Sequence, residues 1–169
     1  MAKVGAIASV QPAHLTADRQ MAMARLGERR AAWSFPFRTL QQAGVPLAIG
    51  SDWTVAPLDV FDSVRAAVHR ALPGQPPWER TQRLSHAEAL TAYTRGAAYA
   101  AFREAELGAL SVGFYADFVV LDGDSLLGFL GLGGDDGNDV DGEGSGVAAA
   151  QRVKPLSTYV GGACAWGCP

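Results

Sequence analysis

Two short, continuous apolar runs, each followed by polar residues, constrain the fold of this chain more than any other feature. The runs cover residues 5–10 and 45–49, and apolar and polar residues do not alternate in either of them. Strands that are buried on both faces of a parallel sheet have this pattern. Helix signals occupy the segment between the runs, so the sequence predicts a βαβ unit with a right-handed crossover.

Capping residues and glycines divide the helical segments. Thr16 is predicted to cap a helix over residues 17–26, and a second helix is predicted after Pro36. Residues 58–71 have apolar side chains at spacings of three and four, which indicates an amphipathic helix. Its last turn contains Arg70, where the helix dipole favours a positive charge.

A further helical segment begins at a capping box, in which Ser85 caps the helix and Glu88 reaches back to it. We expect Gly96 to interrupt this helix, because glycine weakens helix interiors. A second, alanine-rich helix is then predicted over residues 97–106, and Gly108 is expected to stop it.

The second part of the chain has a different pattern. Residues 116–122 predict a strand, and residues 158–166 predict two short strands around a glycine pair. An α/β part over residues 1–107 is therefore expected to precede a small β part over residues 108–169. The glycine-rich, acidic residues 131–146 are interpreted as a disordered insertion within the β part, since they carry little apolar surface to bury.

Composition excludes some classes of function. The net charge of −3 does not favour nucleic acid, which calls for a basic stripe. No apolar stretch reaches the ~18 residues of a membrane span, and a cytoplasmic compartment is only the default expectation. Cys164 and Cys168 have a spacing that is a weak signal for a metal site or a disulfide, and we predict two free thiols.

The residues that follow the two apolar runs could carry chemistry. Asp52 comes directly after the second run, at the end of a parallel strand, where sites are usually built. A carboxylate there can bind a divalent metal or accept a proton from water, although it can also simply cap the next turn. His14 follows the first run, so neighbouring strands would bring His14 and Asp52 to one edge.

The other candidate ligands are weaker. His69 and His86 are interpreted as solvated helix residues, the first near a helix end and the second in the capping box. The segment from Asp139 has acidic residues at the first positions of a calcium loop, but Ala150 stands where a bidentate glutamate is needed. We therefore do not predict a calcium site.

Six motifs, in order, resemble the C-terminal end of amidohydrolase family 3, within the metal-dependent amidohydrolase superfamily. The resemblance covers residues 4–121 and resumes weakly over residues 158–166. The motifs are SVQPAH, RLGERR, FRTLQQAG, GSDWTVAPLD, EALTAYTRGAAYAAF and ADFVVLD.

The resemblance implies a fold, a reaction and a set of site residues. The fold would be a partial (β/α)8 TIM barrel, with residues 5–10 and 45–49 as its last two strands, followed by a fragment of a small β-sandwich. The reaction would be hydrolysis of non-peptide carbon–nitrogen bonds of the amide type in a small molecule. Asp52 would bind the metal, for which zinc is the default, and would accept and pass on a proton. Gln11, His14 and Trp53 would lie near the substrate.

The departures from the family pattern keep an alternative open. The His-x-His pair and the other metal ligands of the superfamily are absent from this sequence, and ~250 residues are needed for a whole barrel. We therefore expect this chain alone to be inactive and to bind no metal by itself. It would need a complementing N-terminal segment or a homo-oligomer, or else it is a truncated, non-catalytic fragment or an interaction module. Smaller departures are Thr54, His69 and Phe114, where proline, threonine and lysine are usual.

Overall fold

The computed structural model describes residues 1–72, 75–130 and 152–169. These residues form a mixed α/β protein with two small sheets, a parallel sheet of two strands and an antiparallel sheet of three. The mixed α/β class expected from the sequence is therefore confirmed. The predictions of a disordered insertion and of no calcium site at residues 131–150 lie outside the described residues.

The parallel sheet consists of β1 (Ala8–Val10) and β2 (Leu47–Ile49), as the two apolar runs predict. Every residue of β2 is buried. Ser9 of β1 is exposed, so the expectation of burial on both faces is wrong for this strand. The reason is that the described residues do not cover the second face of β1.

Three helices connect β1 to β2: α1 (Pro12–Leu26), α2 (Glu28–Ala31) and α3 (Phe37–Gln42). The prediction that Thr16 caps the first helix is wrong, because α1 already begins at Pro12. Proline suits a first helical turn, where its missing N–H has no partner to lose. Thr16 lies in the second turn, and its hydroxyl donates to the carbonyl of Ala13 at 2.9 Å.

The amphipathic helix is α4 (Val60–His69), and Asp59 caps it by accepting a hydrogen bond from the backbone N–H of Phe61 at 2.9 Å. Arg70 follows it in a left-handed conformation and is fully buried. The sequence predicts Arg70 as a favourable charge at the helix end, but it does not predict that this charge is buried. Its guanidinium donates to the carbonyl oxygens of Trp78 at 2.6 Å and Phe35 at 2.9 Å, and burial lowers its pKa to about 10.

The capping box of Ser85 and Glu88 is confirmed, and it opens a helical run of three parts. These parts are α5 (His86–Thr91), a π-helical turn (Ala92–Gly96) and α6 (Ala97–Ala100). Gly96 does not interrupt the run, since its φ of −64° and ψ of −42° are helical. The helix also ends at Ala100, earlier than the predicted residue 106.

The antiparallel sheet has the order β3 (Phe118–Leu121), β4 (Pro155–Val160), β5 (Ala163–Trp166). The strand and hairpin predictions for this part are confirmed. Helix α7 (Gly123–Phe129) follows β3. Its last residue packs edge-on against Phe61 and His86, so α7 shares the core of the α/β part.

Cys164 and Cys168 form a disulfide, so the prediction of two free thiols is wrong. Four residues of continuous strand would separate the two cysteines by ~13 Å. Instead, the chain turns at Gly167, which has a φ of +64°. The turn reduces the Cα–Cα distance to 5.8 Å, which is within the range of a disulfide.

Candidate active site

The carboxyl ends of β1 and β2 meet at one edge of the parallel sheet. Val10 is paired with Ile49 at the last position of both strands, and the backbone N–H of Gly50 donates to the carbonyl of Val10 at 3.1 Å. The residues that follow each strand therefore start from neighbouring points. This edge is where parallel sheets usually carry their sites.

His14 and Asp52 meet at this edge, as the strand pairing predicts. The Nε2 of His14 is 3.8 Å from the Oδ2 of Asp52, which is beyond hydrogen-bond length. His14 lies in the first turn of α1, and its Nε2 is buried without a hydrogen-bond partner among the described residues. The carboxylate of Asp52 is half exposed, so the pair combines one enclosed nitrogen with one oxygen that solvent can reach.

The backbone around Asp52 forms a tight turn, residues 50–56, which we name the Asp52 loop. Asp52 has a φ of +58°, in the left-handed region that Asp tolerates better than most residues. Its carbonyl accepts hydrogen bonds from the backbone N–H groups of Val55 at 2.8 Å and Ala56 at 3.2 Å. Asp52 therefore stabilises the turn through its backbone carbonyl. Its carboxylate remains available beside His14.

The two other predicted site residues flank this pair. Gln11 immediately precedes α1, is partly buried, and has a carbonyl that accepts a hydrogen bond from the backbone N–H of His14 at 3.1 Å. Trp53 is 66% exposed in the Asp52 loop, so its indole is free to contact another molecule. All four predicted residues thus lie on the two segments that leave β1 and β2.

The donor atoms at this edge fit part of a metal site. Imidazole nitrogen and carboxylate oxygen are both ligands of divalent zinc, and catalytic zinc usually has three protein ligands. Within the part of the chain that the structure describes, no group of three or more His, Cys, Asp or Glu residues could hold a metal. Asp52 and His14 could therefore contribute to a ligand set that other residues would have to complete.

His69, the last residue of α4, and His86, the first residue of α5, pack against each other, with their ring centroids 5.9 Å apart. The interpretation of both as solvated is wrong. Burial, followed by the charges of His86, Arg83 and Arg65, lowers the pKa of His69 to about 4. Burial also lowers the pKa of His86, and its Nε2 is enclosed without a hydrogen-bond partner in the described structure.

Tyr93 is a residue near the site that the sequence reasoning did not select. It lies in the π-helical turn and is half-buried. Burial raises the pKa of Tyr93, an interaction with the side chain of Ser51 in the Asp52 loop partly offsets this rise, and the negative charge of Asp59 adds to it. The available signal was its position in the motif EALTAYTRGAAYAAF, three residues before Gly96.

Two curated relatives match about two thirds of this chain, which spans about a fifth of their own length. Protein LONG AFTER FAR-RED 3 of Arabidopsis thaliana is 44% identical over 117 residues, which are 68% of this chain and 20% of that protein. The putative amidohydrolase YtcJ of Bacillus subtilis is 32% identical over 118 residues, which are 68% of this chain and 22% of that protein.

Solved structures of metal-dependent hydrolases have a similar fold. An uncharacterized metal-dependent hydrolase from Pyrococcus furiosus has a TM-score of 0.58 at 32% identity. Another from Pyrococcus horikoshii has a TM-score of 0.60 at 29% identity. The match covers 68% of this chain and 23% of each of those chains.

The described residues include no helix that is long and apolar enough to cross a membrane.

A family model matches more of the chain than the curated relatives do, since the model of the Amidohydrolase family covers residues 1–154. The chain belongs to the amidohydrolase family.

Proposed function

We propose that this chain supplies the last two strands of the barrel of a metal-dependent hydrolase acting on carbon–nitrogen bonds of amide type. The observation that carries the proposal is the approach of Asp52 to His14, 3.8 Å between Oδ2 and Nε2, at the carboxyl ends of two parallel strands. Family membership supports a hydrolase and a small-molecule substrate. The antiparallel sheet would belong to the accompanying β-sandwich.

Asp52 is the residue proposed to bind metal and to move a proton. Its half-exposed carboxylate can reach a water molecule, accept a proton from it and pass that proton to the departing nitrogen. A divalent metal, with zinc expected for nitrogen and oxygen ligands, would polarise the amide carbonyl and make that water more acidic. The remaining metal ligands would come from outside the described residues, on a complementing segment or a second copy of the chain.

Three residues are proposed to contact the substrate. Trp53 offers a large exposed ring at the mouth of the site. Gln11 and His14 leave the neighbouring strand at the same edge, with polar atoms that can orient an amide. His14 is proposed as a substrate residue, although its Nε2, which has no hydrogen-bond partner among the described residues, also suits a metal.

A second candidate is a non-catalytic chain that retains only the ancestral fold. The observation that favours it is that the described residues bring together two possible metal ligands, where a catalytic zinc needs three. The two candidate functions predict different metal binding. An enzyme segment binds metal once its ligand set is complete, whereas a non-catalytic chain never does.

The test uses Co²⁺ as a spectroscopic probe together with a panel of chromogenic p-nitroanilides. The chain is titrated alone and then with a candidate complementing segment from an N-terminal amidohydrolase region. We expect visible Co²⁺ absorption and hydrolysis only in the complex. In Asp52→Asn, hydrolysis should fall by at least about a hundredfold, and the Co²⁺ absorption at a given concentration should weaken. Asp124→Asn, an exposed carboxylate on α7, is the matched control. Equal metal binding in Asp52→Asn and the wild type would remove the role given to Asp52.

A further inference from the structure

The disulfide of Cys164 with Cys168 lies at the surface, at the end of an edge strand. Among the described residues, β5 pairs with β4 alone, so its outer side is open to solvent. Cys164 is partly buried, whereas Cys168 is exposed. Thiol–disulfide exchange begins when a thiolate attacks one of the two sulfurs, and its rate depends on access. A pair with one exposed member can therefore react with an external thiol while the chain stays folded.

This disulfide does not hold the hydrophobic core together. Within the part of the chain that the structure describes, no residue of β4, of β5 or of the turn that follows belongs to the buried core cluster. The bond joins cysteines that are only four positions apart, and a disulfide stabilises a fold less when the loop that it closes is shorter. Cleavage of the bond should therefore change the end of β5 and leave the core intact.

A β-bulge lies inside the loop that the disulfide closes. Cys164 pairs with Tyr159, and Trp166 pairs with the adjacent residue Thr158, so Ala165 is an extra residue on β5. A bulge locally disrupts the ladder and bends the strand, which makes this end of β5 weaker than a regular strand. The disulfide spans the bulge and restrains it.

The turn that brings the two sulfurs together packs tightly against β4. Gly167 has a φ of +64°, and a Cβ added there would be 2.1 Å from the carbonyl oxygen of Leu156. Both the backbone conformation and the close approach call for glycine. The disulfide and the turn therefore support each other: the bond restrains the turn, and the turn keeps Cys168 beside Cys164.

We propose that Cys164 and Cys168 form a reversible thiol–disulfide switch, which an external dithiol opens and which controls the order of the bulged end of β5. These are the two cysteines of the sequence, so no third cysteine of this sequence competes for either sulfur. The proposal is independent of the proposed hydrolase function.

The exchange transfers two electrons from the dithiol to the cysteine pair. A thiolate of the dithiol attacks the exposed sulfur of Cys168, the bond between the two cysteine sulfurs breaks, and Cys164 leaves as a thiolate that takes up a proton. The second thiol of the dithiol then attacks the mixed disulfide and releases Cys168. The dithiol becomes a cyclic disulfide and the pair becomes two thiols, and a disulfide reagent reverses the exchange.

The first test compares the rate of reduction by dithiothreitol in the folded full chain with the rate in the chain unfolded by urea. An accessible disulfide should react in the folded chain within roughly tenfold of the unfolded rate. Free thiols, counted with a chromogenic thiol reagent, should rise from none to two while the circular dichroism stays that of the folded chain. Reduction that proceeds only as fast as the chain unfolds would overturn the proposal.

The second test measures the equilibrium in mixtures of reduced and oxidised glutathione. A switch should populate both forms across these mixtures. A pair that stays oxidised in every mixture is a structural disulfide, and a pair that stays reduced in every mixture is no switch, so either result rejects the proposal.

Two glycine variants show whether the turn sets this equilibrium. Gly167→Ala should shift it roughly tenfold toward the dithiol, because alanine is strained at this φ and meets the carbonyl of Leu156. Gly113→Ala is the matched control, since Gly113 has a φ of +94° but a Cβ there meets no atom within 4 Å. It should leave the equilibrium unchanged, and equal midpoints in the two variants would contradict the coupling of the turn to the bond.

The third test is amide hydrogen exchange in the oxidised and reduced full chain. On reduction, the amides of Ala165 and Trp166 should exchange roughly tenfold faster, while those of β2 keep their rates. The double variant Cys164→Ser with Cys168→Ser should exchange fast under both conditions. If that variant does not fold, reduced wild type with its thiols blocked by N-ethylmaleimide gives the same comparison. Equal exchange in both forms would mean that the bond does not control the end of β5, and the proposal would fail.

Discussion

Gly96 approaches Leu47 so closely that a Cβ added to the glycine would lie 2.1 Å from the leucine carbonyl oxygen. The backbone of Gly96 is itself helical, with a φ of −64°. The glycine is therefore required by the packing of the helix on β2, and its conformational freedom is not used. The contact fixes the distance between the π-helical turn and the strand that leads to Asp52.

We predict that Gly96→Ala destabilises the chain by about 1–3 kcal/mol, the usual cost of overpacking a tight contact. The added methyl group meets backbone atoms of β2, which cannot move aside as a flexible side chain can. Chemical denaturation followed by circular dichroism would measure the loss.

Gly123→Ala is the control for that experiment. Gly123 begins α7, and a Cβ there meets no atom within 4 Å. We expect this variant to be as stable as the wild type or more stable by up to about 1 kcal/mol. If both alanine variants had the same stability, the close contact of Gly96 with β2 would not be the reason for its glycine.

Much of the edge that carries Asp52 could be predicted from sequence, because strand ends and caps are local signals. Two apolar runs predict paired parallel strands, and the residues after each run then have to share an edge, as His14 and Asp52 do. The capping box at Ser85 is equally local. In each case the relevant residues are near one another in the chain or at equivalent strand positions.

What could not be predicted depends on contacts between distant segments. Gly96 is a residue type that usually weakens a helix, so the sequence predicts a helix break there. The contact of Gly96 with β2 explains why a glycine stands inside a continuous helix. Arginine is a residue type usually found at the surface, but the guanidinium of Arg70 donates to carbonyl groups from two other segments. The disulfide of Cys164 with Cys168 requires a turn that the spacing of the cysteines does not specify.

Arg70→Met should destabilise the chain by at least about 3 kcal/mol. Methionine retains the apolar stem of the side chain, but the buried carbonyls of Trp78 and Phe35 lose their charged donor, and each such bond contributes about 1.5–3 kcal/mol. Arg29→Met, at an exposed arginine of α2, should change stability by less than about 0.5 kcal/mol. Urea unfolding of both variants measures the difference, and equal midpoints would show that Arg70 is not a structural arginine.

The ion pair of Glu88 with Arg38 should give the chain a stability that is lost in strong acid. Both carboxylate oxygens accept hydrogen bonds from the guanidinium of Arg38, at 2.6 and 2.7 Å. These bonds, with further bonds from Ser85, hold the pKa of Glu88 at about 2. The folded pKa is below the unfolded value, so the contribution is complete above about pH 4.5 and disappears as pH falls toward 2.

The measurement for Glu88 is the free energy of unfolding between pH 5 and pH 2. The wild type should lose stability over this range more steeply than Glu88→Gln, which has no carboxylate to protonate. The pair is partly exposed, so solvent screening keeps the difference small. Glu104→Gln, at an exposed carboxylate, should follow the wild-type curve, and a Glu88→Gln curve parallel to both would show that the pair has no linkage to pH.

His69 should remain neutral in the folded chain until well below neutral pH. Burial first, and then the positive charges of His86, Arg83 and Arg65, lower its pKa to about 4. The unfolded chain takes up this proton near pH 6.5. The unfolded state therefore binds more protons between these values, and stability is lost as pH falls from about 6.5 toward 4. In His69→Gln, this part of the pH dependence should be weaker, while that of Glu88 at lower pH remains.

The imidazole C2 proton of His69, followed by NMR in the folded chain, gives the direct test. Its titration midpoint should lie near pH 4, and the signal should keep its neutral position at pH 6. The neighbouring His86 should also titrate below its usual range, because burial lowers its pKa too. A midpoint for His69 near 6.5 would mean that water reaches the contact between the two rings. The packing of α4 against α5 would then be looser than the 5.9 Å separation of the two rings implies.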